Sequence, residues 1–243
     1  MPQIMGLMSH GSTISELMVS AGFLHVWPLR ETSGTTATDI GSDPINGEYL
    51  NEFTLYGDLG VQLLGDGGGG GTYNGAVRLP TDAFSEIGST NDWTLMGVFK
   101  PTVSPSGYSI ISCVEAGGWS QPMQIDYHSG GTIRLRYGTG VFAEQKVGDT
   151  VEALTLNEYN HIAVVNYYID SSTIRTNIFV NGVRLECNSH GKNRAFSARD
   201  GYIGSRNGGA GQGASSGYYR DWGIADYPLT EAEVNAFYGC MDG

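Results

Sequence analysis

An all-β, antiparallel two-sheet sandwich with a short helix towards each end is what this 243-residue sequence predicts, on three observations. Glycine is abundant, at 37 residues, and only 16% of residues are charged, which suits many tight turns between strands better than a helical bundle. Short runs alternate apolar and polar side chains, the mark of strands with one buried face. Helix-capping signals flank this β region on both sides. The length is ordinary for one large sandwich and sufficient to bury a core without staples.

The elements follow in order. Residues 1–22 form an N-terminal arm whose start, "MPQIMGLMSHG", is Met-rich and irregular. "STISELMVSAG" then reads as a short helix, with Thr13 and Glu16 as a capping box and Gly22 at its end. Ile14, Leu17 and Met18 share one face, so the helix is expected to lie against the domain; an arm docking into a partner is the alternative. Residues 23–243 form the β domain. Its candidate strands include "FLHVWPL", "GAVRLP", "WTLMGVFKP", "YSIISCVE", "PMQIDYH" and "TIRLRYG". They continue through "YNHIAVVNYYI", "TIRTNIFV", "VRLEC" and "GYYRDWGIADY". In "FVNGVRLE", Asn181-Gly182 supplies the two positive-φ residues of a type I′ hairpin turn. The last element is a helix in "PLTEAEVNAFYG", capped by Thr230 and Glu233, with Gly239 at its end.

Gly65, Gly67 and Gly70 fit G-x-G-x-x-G, the spacing of a dinucleotide cradle. Such a cradle needs a helix behind it, and here "TYNGAVRLP" is extended and stops at Pro80. The run is expected to be a surface loop between strands. "GASSG" at 213–217 fits G-x-S-x-G but leads into a strand, which is the wrong context for a nucleophile elbow at Ser215.

Charge narrows the partners. A formal net charge of −12, with Lys and Arg scattered, repels phosphate backbones and anionic lipid, so neither nucleic acid nor membrane is expected. Cys113, Cys187 and Cys240 lack C-x-x-C spacing; reduced thiols are the default, with a Cys187–Cys240 bridge left open. No run has the basic start and apolar stretch of a signal peptide, and the chain is expected to be made in a cytoplasm.

Four stretches in order resemble the concanavalin A-like lectin/glucanase superfamily, in its laminin-G-like jelly-roll branch. They are "VWPLRETSGTTATDIGSDPINGEY", "DWTLMGVFKP", "EYNHIAVVNYYIDSSTIRTNIFVNGV", and "GYIGSRN" followed by "GYYRDWGIADYPLTEAEVNAFY". The resemblance runs from Phe23 to Tyr238 and implies a jelly-roll sandwich. It does not settle function, because the superfamily hosts lectins, hydrolases and structural modules.

The glucanases of this fold carry Glu-x-Asp-x-x-Glu on one strand, and no such spacing occurs here, so a non-enzyme is expected. The resemblance also implies a Ca²⁺ site shared by an early acidic loop and a late Asp. The matching positions are Asp39, Asp43, Asn46 and Asp221, although "DIGSDP" departs from the family's usual Gly and Asn. The alternative is that Asp39 and Asp43 simply bond the backbone amides of a turn. Sugars stack on exposed rings, which makes Trp119 in "EAGGWSQP", Tyr218 and Tyr219 the candidate glycan contacts. Trp27, Trp93 and Trp222 occupy strand positions and are expected in the core.

The expected function is a non-catalytic, lectin-like binding or structural module. The resemblance places it among bacteriophage virion components (fibre, tail or head decoration), with other virion proteins, itself and a glycan as partners. Two other readings stay open: a glycan-cleaving enzyme of the same fold, and a virion protein without ligand.

Overall fold

The computed structural model describes residues 13–64, 75–84, 92–103, 108–113, 123–127, 133–138, 144–149, 154–170, 173–185, 189–191, 200–205 and 215–241. Chain order gives α1 (Ile14–Ala21), β1 (His25–Trp27), β2 (Thr36–Ala37), β3 (Gly47–Leu50), β4 (Phe53–Leu55), β5 (Val61–Leu63) and β6 (Ala76–Leu79). Next come β7 (Trp93–Pro101), β8 (Tyr108–Cys113), β9 (Met123–Tyr127), β10 (Ile133–Gly138), β11 (Glu144–Asp149) and β12 (Asn160–Asp170). The chain closes with β13 (Thr173–Val180), β14 (Val183–Leu185), β15 (Ser189–Gly191), β16 (Gly201–Ile203), β17 (Gly217–Ala225) and α2 (Glu231–Tyr238).

The strands form two antiparallel sheets. The first runs β14-β13-β12-β7-β17-β5-β4, with β1 added to β17 and β15 to β13. The second runs β11-β10-β9-β8-β16-β6-β3-β2. Asn181 and Gly182 have φ of 50° and 77°, so the β13–β14 hairpin turns through the two positive-φ residues that Asn-Gly predicts.

Both capping boxes form. Thr13 and Glu16 exchange hydrogen bonds at the start of α1, and Thr230 and Glu233 do so at the start of α2. Gly22 ends α1 in the left-handed conformation, with φ of 82°. Gly239 differs: it stays right-handed and the chain coils on, with Cys240 and Met241 donating to Phe237 and Tyr238.

Strand alternation sorts the side chains of the first sheet. On β7, Trp93, Leu95 and Phe99 point between the sheets, where they meet Trp27, Ile125, Tyr219 and Trp222. Met96 and Val98 point the other way and are covered by the helices. Ile14, Leu17 and Met18 of α1 and Val234 and Phe237 of α2 fill this second layer, each fully buried large side chain contributing about 1.5–3 kcal/mol. The α1 stripe therefore lies against its own domain, as the apolar spacing predicts.

Candidate functional site

The two helices cover only part of that outward face. Beyond them, cross-strand register places polar and aromatic side chains side by side. Tyr218 on β17 lies opposite Lys100 on β7 and Gln62 on β5, and directly opposite residues share a face. Tyr56, just after β4, brings its ring to 5.6 Å from that of Tyr218 and donates its hydroxyl to Gln62. The Lys100 ammonium sits 5.6 Å from the Tyr218 ring and 5.2 Å from the Tyr159 ring. The Arg220 guanidinium carbon lies 4.2 Å from the centre of the Tyr159 ring, whose hydroxyl donates to the Leu59 carbonyl. Burial pushes the Tyr159 phenol above its ordinary value, and the Arg220 charge opposes that rise. Tyr56 is 44% exposed, and Tyr218 and Tyr159 are partly exposed, so ring area remains open to solvent.

A β-bulge shapes the end of this strip. The β17–β7 register steps from Arg220 opposite Val98 to Gly223 opposite Met96, which leaves one extra residue on β17. Asp221 falls there, with φ of 53°. At the same place the free edge of β17 passes from β5, paired with residues 217–219, to β1, paired with residues 222–224. The chain leaving β1 turns through Leu29, also at positive φ (56°), and its Pro28 carbonyl takes the Asp221 amide. That turn delivers Arg30, whose Nη2 donates to both Asp221 oxygens at 2.9 and 3.2 Å. Its Nη1 lies 3.8 Å from the Asp58 carboxylate. A cleft of about 360 Å³ opens here, and its lining includes Arg30, Arg220, Asp58 and Asp221, Thr13 at the α1 cap and Met241 past α2.

Among the described residues, Tyr218 is the predicted glycan contact that stands on this face. Tyr219 is a correction: alternation turns its ring into the core, where it is fully buried and its hydroxyl donates to the Ser215 carbonyl. Trp119 lies outside the described residues, as does the glycine run at 65–71. Trp27, Trp93 and Trp222 are core, at 2% exposure or less.

The four residues expected to hold Ca²⁺ do not fit the ion. Asp39 is buried, and each of its oxygens already accepts two hydrogen bonds. Oδ1 takes the Val26 and Gly41 amides; Oδ2 takes the Ile45 amide and His25 Nδ1. Asn46 Oδ1 accepts the Asp39 amide, Asp43 is exposed, and Asp221 is held by Arg30. Among the described residues no three His, Cys, Asp or Glu side chains gather as a metal centre would require. Asp39 instead behaves as the turn clamp of the alternative reading, tying residues 39–45 to β1.

Tyr56, Tyr159, Lys100, Arg30 and Arg220 were not legible as a site. They sit on different elements, and the sheet order that joins them is not written in any local motif.

Comparison with known proteins agrees with the architecture. The family model described as "Concanavalin A-like lectin/glucanases superfamily" matches residues 69–235. A sequence search of curated proteins returns no match. Among solved structures, Trypanosoma rangeli sialidase in complex with sialic acid superposes with a TM-score of 0.63 at 14% identity, covering 91% of this chain and 33% of the sialidase. The chain therefore spans about one third of that enzyme's length. Domain 4 of AbnA, a GH43 extracellular arabinanase from Geobacillus stearothermophilus solved with arabinotriose, gives a TM-score of 0.64 at 13% identity, covering 89% of this chain and 98% of that domain. The binding domain of botulinum neurotoxin DC, in complex with rat synaptotagmin II, gives 0.62 at 12% identity, with 91% and 52% covered.

Proposed function

This chain belongs to the concanavalin A-like lectin/glucanase superfamily, and from that premise we propose that it is a non-catalytic carbohydrate-binding module. The carrying observation is the uncovered strip of the first sheet, where Tyr56, Tyr218 and Tyr159 present rings beside Lys100, Gln62 and Arg220. Rings take the apolar C–H face of a sugar, and the polar groups between them fix its hydroxyls. Support also comes from the arabinanase domain, solved with arabinotriose on a similar fold.

The cleft chemistry favours binding over hydrolysis. A glycosidase needs two carboxyl groups about 5–10 Å apart across the scissile bond. The carboxylates lining this cleft, Asp58 and Asp221, have the Arg30 guanidinium between them, where the substrate would have to pass. The virion setting expected from the resemblance belongs to the same proposal, with the module carrying a phage particle to surface glycans. Immunodetection in purified particles tests that placement, and protein found only free in the lysate contradicts it.

Glycan-array screening followed by calorimetry on the best saccharide tests the binding reading. Tyr218→Ala is expected to weaken binding at least tenfold, about 1.4 kcal/mol. Tyr219→Phe, in the core, is expected to leave it unchanged. Equal binding by Tyr218→Ala and the parent protein would remove the strip from consideration.

A further inference from the structure

The chain has 25 acidic residues against 13 Lys and Arg, so most cations have carboxylates to choose from. The strip departs from that balance. Among the described residues Lys100 touches two rings and has no carboxylate partner. Arg220 spends Nη1 on the Asp58 backbone carbonyl at 3.3 Å, and its closest carboxylate contact, Nε to Asp221 Oδ2, is 3.7 Å and makes no hydrogen bond. Asp221 is already satisfied by Arg30, whose own Nε also bonds nothing. Asp58 turns its carboxylate to solvent, with a side chain 98% exposed. Among the described residues Lys100 therefore lacks a carboxylate, and Arg220 shares with Arg30 the one that it has; both cations lie against the Tyr159 ring, and Lys100 also lies against that of Tyr218.

A neutral sugar would leave Lys100 without a carboxylate and Arg220 with only its 3.7 Å contact to the Asp221 that Arg30 already holds. A carboxylate on the sugar ring would give each a charge-assisted hydrogen bond, roughly twice as strong as a neutral one. Resting on the carbohydrate-binding reading above, we propose that the saccharide recognised is acidic. Its ring lies on Tyr218 and Tyr56, and its carboxylate is held by Lys100 and Arg220 at the mouth of the cleft.

The probes are matched pairs differing in that one group: a galacturonic acid trisaccharide against its methyl ester, and sialyllactose against lactose. Dextran sulfate serves as a polyanion without the carboxylate. Calorimetry on the full chain is expected to give at least tenfold tighter binding for the acidic member of one pair. Lys100→Met should bring that member to the level of its neutral counterpart. Lys100 is partly exposed, so this variant is expected to fold, and an unchanged melting temperature checks it. Equal affinity for acidic and neutral members, with Tyr218→Ala still weakening both, overturns the acidic inference and leaves the carbohydrate reading standing. Silence towards every pair overturns both. Dextran sulfate binding as tightly as the acidic sugars, and indifferent to Tyr218→Ala, reduces the strip to a charge patch and overturns the inference.

Discussion

Asp39→Ala should be one of the most damaging single changes in the protein, and it separates a turn clamp from a metal ligand. The substitution removes acceptors from four donors. Those of His25 and Val26 are buried, and those of Gly41 and Ile45 are partly buried and can turn to water. Each buried donor left without a partner costs about 1–3 kcal/mol, so the two buried ones together cost about 4 kcal/mol, with the other two adding little. For a chain of this size each kcal/mol lowers the melting temperature by roughly 2–4 °C, which makes the expected fall about 8–16 °C. Urea titration and calorimetry of parent and variant, each with and without EDTA, provide the assay. The substitution should cause a large fall and EDTA none. A fall of several degrees in the parent on adding EDTA, absent in the variant, would refute the reasoning and restore Asp39 as a metal ligand.

His161 makes stability depend on pH. It is fully buried, among the described residues neither ring nitrogen has a hydrogen-bond partner, and burial lowers its pKa from 6.5 to about 4. At this residue the unfolded chain takes up a proton below pH 6.5 while the folded chain resists until about pH 4, so the His161 contribution to stability falls by about 3 kcal/mol with acidification across that window and is constant above it. His161→Phe should flatten this stretch of the stability curve, and parallel curves would contradict the assignment. Gly97→Ala would set a Cβ 2.2–2.6 Å from ring atoms of Trp222, which must then move. Overpacking of this kind costs about 1–3 kcal/mol, read as a lower urea midpoint with altered tryptophan fluorescence.

What could be read from the sequence was local. Thr13 with Glu16, Thr230 with Glu233, and Asn181-Gly182 each act within a few residues, and each forms as the spacing predicts. The long strands Trp93–Pro101 and Asn160–Asp170 were legible for a similar reason: each is a long, largely apolar run that reads as a strand without reference to its partners. β2, β4 and β5 were not, because two or three residues carry no periodicity, and their pairing depends on partners far along the chain. Tyr218 and Tyr219 looked alike as candidates until the pleat gave them opposite faces. The role of Asp39 was open because its partners are mainly backbone amides, which no residue pattern advertises. Arg30 and Asp221 lie 191 residues apart and meet only because β1 and β5 share one edge of β17 at a bulge.

The central claim is that a saccharide binds on the uncovered strip of the first sheet. Amide shift mapping by NMR, titrating the full chain with its best-binding saccharide, tests it most directly. The largest changes are expected at Tyr56, Gln62, Lys100, Tyr159, Tyr218 and Arg220. Changes centred on the second sheet or on Trp119, with these six silent, would contradict it.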